Sequence, residues 1–273
     1  MEKGGVDHSL FTIVIPTYNE VGNVGPMIAE LTRRYPKAKI MIVDDGSQDG
    51  TVEVVKSLLN SNPQLALLLR DPEDRGLTAA VMEGLRSVKT ERFVVMDCDF
   101  QHPPAYVEQL MAATYEADFV VGAREGMGPL SLGRRLASSG AHKLAYTYLW
   151  FIRRPRSTDL MSGFFAGKTE LALMIIEKHG NKFERRGFKV LFDLLRFMPR
   201  GTKIMDSHYK FGDRASGYSK LNSDIVLSVL RQCGIGGKMA SGALRFFLIN
   251  KAGRAVGFII LAAIFAIVIS LAA

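Results

Sequence analysis

Apolar residues in the first half of the chain come in short continuous runs separated by mixed polar and apolar stretches. The runs are Phe11-Thr12-Ile13-Val14-Ile15, Ile40-Met41-Ile42-Val43, Leu65 to Leu69, Phe93-Val94-Val95-Met96 and Phe119-Val120-Val121. Short runs that are apolar on both faces suit strands of a parallel sheet covered by helices on each side. The first strand is predicted to stop at Pro16, which cannot donate a ladder hydrogen bond. Helices are predicted over 21–34, from Thr51 to Leu59, over 77–88 and over 105–115, with Asp49 or Thr51 capping the second. Strands and helices alternating at these intervals imply right-handed βαβ units and a mostly parallel sheet.

Beyond Arg124 the alternation breaks. Residues 130–152 read as a helix carrying Arg134, Arg135, Ser138, Ser139, His142 and Lys143. Asp159-Leu160-Met161-Ser162-Gly163-Phe164-Phe165 reads as a turn entering a strand, and an apolar helix is expected from Val190 to Met198. Residues 202–211 alternate as a strand. A basic loop follows, Gly212 to Lys220, in which Arg214, Ser219 and Lys220 are possible phosphate-binding groups. Two short helices with apolar faces, 222–231 and 239–249, are expected to lie in a membrane interface or to pack on the preceding domain. Residues 255–273 contain no charge over 19 positions. At about 1.5 Å per residue they nearly span a hydrocarbon core of about 30 Å, and they are read as a transmembrane helix.

Composition sharpens the second half of this picture more than the first. The 273 residues carry a formal net charge of +8, and Lys238, Arg245, Lys251 and Arg254 stand just before the apolar segment. Basic residues beside a span favour the cytoplasmic side, so the large N-terminal part is expected there, in a single-pass membrane protein. No nucleic-acid-binding module accompanies the charge, and nucleic acid is not expected as a partner. The short polar start, Met1 to Ser9, has no signal-peptide pattern. The two cysteines, Cys98 and Cys233, have no metal-ligand spacing and fit a reducing compartment.

The chemistry-bearing residues cluster where predicted strands end. Tyr18 and Glu20 follow the first strand, Asp44 and Asp45 the second, and Asp97 and Asp99 the fourth. In open α/β sheets ligands bind beyond the carboxyl ends of strands, so three such turns on one edge predict a site. Asp97, Asp99 and the Gln101 amide offer hard oxygen ligands suited to Mg²⁺ or Mn²⁺ shared with a substrate phosphate. A single acidic turn would do no more than cap the next helix. No dinucleotide fingerprint follows the first strand, and no GxxxxGK[ST] phosphate loop is present.

Taken together, PTYNE at 16–20, DDGSQDGT at 44–51, DCDFQHPP at 97–104, DLMSGFF at 159–165 and RASGYSKL at 214–221 resemble the family 2 glycosyltransferases. Within them, the QHPP and RxxGxSK elements resemble the dolichol-phosphate mannosyltransferase and polyprenyl-phosphate glycosyltransferase branch. The resemblance implies a GT-A fold, an α/β catalytic domain over 1–221 followed by interface helices over 222–250 and a membrane helix over 251–273. It implies that Pro16, Tyr18, Glu20, Val43 and Asp45 lie at the nucleoside, that Asp97, Cys98 and Asp99 line the nucleotide and sugar, and that Asp99 with Gln101 binds the metal. It further implies that Lys189, Arg214 and Lys220 close over the diphosphate or sugar, and that Arg124, Arg135 and Ser139 receive a lipid phosphate. The residues expected to carry catalysis are Asp97, Asp99, Arg124 and Arg135.

The implied reaction is metal-dependent, inverting transfer of a hexose, with mannose from GDP-mannose favoured, to dolichyl or another polyprenyl phosphate. UDP-glucose as donor is the nearest alternative, since these motifs do not separate guanine from uracil or mannose from glucose. A non-catalytic membrane-bound sugar-nucleotide binder is an alternative of a different class. The Gln-x-x-Arg-Trp motif expected of a processive polysaccharide synthase is missing.

Overall fold

All five apolar runs form strands. The computed structural model describes residues 5–125, 142–143, 145–185, 190–212 and 232. In it β1 (Phe11–Thr17), β2 (Lys39–Asp44), β3 (Leu65–Leu69), β4 (Arg92–Val95) and β5 (Phe119–Arg124) are joined by β6 (Phe165–Lys168) and β7 (Ile204–Tyr209). The helices are α1 (Val21–Arg34), α2 (Thr51–Leu59), α3 (Leu77–Ser87), α4 (Val107–Ala113), α5 (Thr169–His179) and α6 (Val190–Phe197).

The seven strands form one sheet in the order β3-β2-β1-β4-β6-β5-β7. Every pairing is parallel except those of β6, which runs antiparallel to both β4 and β5. Period-two alternation divides the strand residues between two cores. Phe11, Ile13, Ile15, Val94 and Val120 pack beneath α1, α2 and α4, whereas Val14, Phe93, Val95, Phe119 and Val121 pack beneath α3, α5 and α6. Phe93, Phe119 and Phe165 meet on the second face with ring centroids 5.5–6.2 Å apart. Burying each of these rings contributes about 1.5–3 kcal/mol, so the sheet holds its strand ends on a rigid base.

Three details depart from the sequence reading. First, β1 does not stop at Pro16 but continues to Thr17, in register with Asp44. Val14 O accepts from Met96 N, and Thr17 O accepts from Asp45 N on the opposite edge, so Pro16 N faces the β4 side. β4 has already ended at Val95, opposite Val14, and no ladder bond is lost there. Second, α5 falls in a stretch where no element was expected. Third, the 105–115 helix starts as a 3₁₀ turn at Pro104–Tyr106 and becomes α-helical only from Val107 to Ala113.

Of the helix expected over 130–152, residues 142–143 and 145–151 are described and helical. The apolar segment 255–273 and all of 222–250 except Gln232 lie outside the described residues. Gln232 is buried and donates to Asp193 Oδ2 of α6 at 2.7 Å, which joins that point of the C-terminal segment to the domain. Among the described residues no helix is long and apolar enough to cross a membrane.

Candidate active site

The strand order reverses direction between β1 and β4, because β1, β2 and β3 step one way across the sheet and β4 lies on the other side of β1. A crevice opens at such a switch point, beyond the carboxyl ends of the two strands. The segments entering it are Tyr18–Glu20 after β1 and Asp97–His102 after β4, with Asp44–Asp49 beside them after β2.

The segments after β1 and β2 are laced together. Asn19 N donates to Ser47 Oγ at 2.8 Å, Gln48 N donates to Asn19 Oδ1 at 2.9 Å, and Glu20 N donates to Thr51 Oγ1 at 2.8 Å. Asp49 accepts from Thr51 N with one oxygen and from Val21 N with the other, so a single carboxylate caps the starts of α1 and α2. The adjacent aspartates have different tasks. Asp44 accepts from Thr17 Oγ1, Gly46 N, Ser47 N and Ser47 Oγ, and is consumed in shaping the turn. Asp45 points the other way, pairs with the buried Arg70 guanidinium and accepts from Gly76 N at 2.7 Å.

Arg70 also donates to Asp74 and Glu83, so the loop after β3 is tied to the end of β2. From the same loop Arg75 reaches over Tyr18, its guanidinium carbon 4.3 Å from the ring centroid and Nη1 2.8 Å from the phenol oxygen. Arg75 Nε donates to the Asp45 carbonyl at 3.2 Å. An aromatic ring and a cation therefore form one wall at the end of β1, beside the half-buried Glu20.

The β4 end supplies the carboxylates. Asp97 is half-buried, Asp99 is buried, and Asp99 Oδ1 accepts from Gln101 N at 3.1 Å. His102 Nδ1 accepts from Asp97 N at 3.0 Å and thus carries a lone pair, so the 3.6 Å approach of Asp97 Oδ2 to the same nitrogen is not an ion pair. The His102 ring stacks on Phe164 and meets the edges of Tyr209 and Phe211, an aromatic floor beneath Asp97. Gly163 passes close above it: a Cβ there would stand 3.0 Å from Asp97 Oδ2 and 3.1 Å from His102 Cε1.

Arg124 ends β5 and completes the described edge. Its Nε donates to Asp159 Oδ2 at 2.6 Å and its Nη2 to Asp159 Oδ1 at 2.9 Å, a bidentate pair, with the guanidinium also 5.4 Å from the Phe211 ring centroid. Burial pushes the Asp159 carboxyl up, but the Arg124 guanidinium and the N–H groups of Arg124 and Met161 outweigh it and hold it below the usual range. His142 lies within electrostatic reach of both. Burial holds its imidazole below the ordinary value, Asp159 pulls it up and Arg124 pulls it down. Burial raises the Tyr209 phenol, which feels Arg124, Asp159 and Asp97.

A model of glycosyl transferase family 2 matches residues 12–173, from β1 into α5, and so takes in every carboxylate above and the Arg124–Asp159 pair. The chain belongs to that family. It is a glycosyltransferase. The dolichol-phosphate mannosyltransferase of Mycosarcoma maydis is 34% identical over 238 residues, covering 81% of this chain and 76% of that protein. The dolichol-phosphate mannosyltransferase of Saccharomyces cerevisiae is 30% identical over 239 residues, covering 81% and 85%. Among solved structures, a glucosyl-3-phosphoglycerate synthase from Mycobacterium tuberculosis, in complex with Mn²⁺, uridine diphosphate and phosphoglyceric acid, matches with a TM-score of 0.58 at 20% identity. It covers 82% of this chain and 78% of that one, and the likeness concerns the GT-A-like α/β fold.

In this glycosyltransferase the sequence-predicted residues divide into three groups. Tyr18, Glu20, Asp45, Asp97, Asp99, Gln101 and Arg124 all stand at or just beyond the carboxyl ends of the strands. Pro16, Val43 and Cys98 are buried; Val43 packs in the core beneath α3 and Cys98 in the core beneath α1 and α4, so their side chains belong to the packing. Arg135, Ser139, Lys189, Arg214 and Lys220 lie outside the described residues. The sequence reading assigned no role to Arg70, Arg75, His102 or Asp159. The first two were within its reach: Arg70-Asp71-Pro72-Glu73-Asp74-Arg75-Gly76 is a charge-dense turn at the end of β3, the same position that singled out the other loops.

The donor set suits a hard cation. Burial chiefly pushes the Cys98 thiol well above its ordinary value, and the neighbouring carboxylates of Glu20, Asp99 and Asp97 raise it further. Among the described residues no group of three or more His, Cys, Asp or Glu is arranged to enclose a metal. A Mg²⁺-like ion held by one or two carboxylates and completed by substrate phosphate needs no such group.

Proposed function

We propose that the protein transfers a hexose from a nucleotide diphosphate sugar, GDP-mannose favoured, to the phosphate of dolichol or another polyprenol. The observation that carries this reading is 34% identity across 81% of the chain with a dolichol-phosphate mannosyltransferase. The site geometry is consistent with it on both sides of the reaction. Tyr18 with Arg75 above it, Glu20 and Asp45 form the nucleoside end, and Asp97, Asp99 and Gln101 lie toward the diphosphate and sugar. Mg²⁺ or Mn²⁺, held by Asp99 and Gln101, would supply positive charge for the leaving diphosphate. Lys189, Arg214 and Lys220, carried over from the family pattern, would add donors to the same oxygens.

On the acceptor side Arg124 is the described cation, with Arg135 and Ser139 as its proposed companions. Asp159 fixes the Arg124 guanidinium through two of its nitrogens, which aims it without removing its charge. A lipid monophosphate has a second pKa of about 6 and is largely dianionic at neutral pH, so it needs positioning and no general base. Its oxygen forms the new bond to the anomeric carbon as the bond to the nucleotide diphosphate breaks, and the configuration inverts. The proposed arrangement in the membrane is a single span over 251–273 with the 1–221 domain on the cytoplasmic side and 222–250 between them.

The test is transfer of labelled sugar into chloroform-extractable lipid by the full-length chain in detergent, with GDP-mannose and UDP-glucose run side by side. Lipid-linked product from GDP-mannose alone is expected. Product from UDP-glucose alone would move the donor assignment to the alternative, and none from either donor would leave a nucleotide-sugar binder.

A further inference from the structure

The helical segment 145–151 and the turn before β7 form a second feature, which the transfer reaction does not use. Tyr146 and Trp150, four residues apart and hence on one helical face, are 41% and 61% exposed. Beyond them an open basin of about 410 Å³ is lined by Trp150, Arg153, Arg154, Arg156, Arg200 and Thr202 among others, and among the described residues no acidic one lines it. Arg154 Nη1 donates to the Met198 carbonyl at 2.9 Å and fixes the basin to the end of α6. Arg153, Arg156 and Arg200 are exposed around it. Four guanidinium groups beside an exposed indole are unusual on a free surface, because the indole is costly to leave in water and the cations repel one another.

We infer that this basin is a membrane contact that takes the phosphate of an anionic phospholipid head group. Guanidinium groups match phosphate oxygens in a bidentate fork. Indole and phenol rings settle at the head-group level of a bilayer, one end apolar and the other polar. A single-stranded nucleic acid would also pair cations with rings, but the uncharged segment 255–273 of the same chain, read above as a membrane span, favours the bilayer. The Arg156 guanidinium lies 5.0 Å from the Tyr146 centroid, and the Tyr146 ring lies 6.3 Å from that of His142, which feels both Asp159 and Arg124. These contacts lead from the basin, beside the amino end of β7, toward the carboxyl-end edge that carries Arg124. The lipid contact stands or falls without the acceptor assignment, since it is read in the absence of nucleotide and polyprenyl phosphate.

Trp150 is the only tryptophan in the chain and reports on the contact directly. The full-length protein would be reconstituted into vesicles of phosphatidylcholine alone and into vesicles also containing phosphatidylglycerol, each with and without brominated acyl chains. In the anionic vesicles Trp150 emission should shift to the blue and be quenched by bromine, and rising salt should reverse both effects. Each of Arg153, Arg156 and Arg200 changed to Ala should lower the ratio of lipid-contacting to free Trp150 roughly fivefold. R153E/R156E/R200E should abolish the effect of phosphatidylglycerol while nucleotide binding, measured alongside, persists. Emission typical of a solvated indole in both vesicle types would overturn the inference. So would quenching that is indifferent to head-group charge and salt, or an RNA oligonucleotide that quenches Trp150 where anionic vesicles do not.

Discussion

Changing Asp159 to Ala removes the carboxylate that holds Arg124, and the consequences separate binding from aiming. The pair is largely withdrawn from water, with the Asp159 side chain 12% exposed and the Arg124 side chain 31% exposed. Breaking a fully buried pair costs about 3–5 kcal/mol, and the water still reaching Arg124 reduces this to about 2–3 kcal/mol here. Arg124→Ala should cost a similar amount, and the double variant clearly less than the sum, leaving a coupling of about 1–2 kcal/mol in urea unfolding. Kinetics should divide differently. Arg124→Ala forfeits charge-assisted hydrogen bonds to the acceptor phosphate worth about 1.5–3 kcal/mol, a loss in kcat/KM for the lipid of roughly ten- to hundred-fold. Arg124→Lys should recover only part of it, because an ammonium cannot present the fork. Asp159→Ala leaves the cation present but unaimed, so a loss of roughly tenfold in kcat is expected. Donor-nucleotide affinity, measured by calorimetry on the same preparations, should hardly change in any of the three. The assay is sugar transfer to a short polyprenyl phosphate in detergent, which removes membrane docking from the comparison. Additive stability losses would refute the pairing, and unchanged kinetics with that short acceptor would refute the acceptor role of Arg124.

Asp99→Ala should lower transfer roughly a hundredfold or more, and excess chelator should do the same to the unaltered chain, because the leaving diphosphate loses its counter-charge; full activity in chelator would remove Asp99 and Gln101 from metal binding. Asp193, fully buried on α6, has its carboxyl pushed up to about 6 from 3.8, chiefly by burial, against the hydrogen bonds from Gln232 and Glu184 N. The folded state therefore holds the proton more tightly than the unfolded one, its advantage is complete below about pH 4, and it is lost as pH rises through about 6. Asp193→Asn should match the unaltered chain in stability near pH 4 and exceed it by about 3 kcal/mol near pH 7.5, a difference read from urea unfolding at the two pH values. Gly84→Ala would bring a Cβ within 2.6 Å of Val14 Cγ1 and 2.9 Å of Val43 Cγ2, where α3 crosses β1 and β2, and should cost about 1–3 kcal/mol by thermal or urea unfolding.

The parallel half of the sheet was legible because strands covered on both faces must be apolar throughout, and runs such as Ile40–Val43 and Phe93–Met96 have no polar break. The strand that gives the sheet its particular shape was less so. β6 is only Phe165-Ala166-Gly167-Lys168, and nothing in four residues declares that it enters between β4 and β5 and runs against both. Its direction depends on the length and path of the chain between Arg124 and Phe165, a tertiary matter. Pro16 misled in the opposite sense. Its missing N–H is harmless only because β4 stops opposite Val14, and the length of a neighbouring strand cannot be read from the strand that carries the proline.

The site was legible wherever a single strand end announces it, and silent wherever two segments must meet. Strand-end polarity singled out Asp44 and Asp45 together but gave no reason to separate them. Successive residues leaving a strand point to opposite sides, so one aspartate folds back on Thr17 and Ser47 while the next faces Arg70 across the loop after β3. Arg124 and Asp159 were each within a recognised segment, yet they are 35 residues apart in sequence and are paired by the insertion of β6 beside β5. A carboxylate with no positional signal of its own thereby decides which way the β5 arginine faces. The same logic applies to the carboxylates after β4. Asp97 is placed by His102, five residues on, and by the absence of a side chain at Gly163, which approaches only because the turn before β6 packs across the end of β4. Residue types name the chemistry available at this edge, whereas the antiparallel strand determines which of those groups face one another.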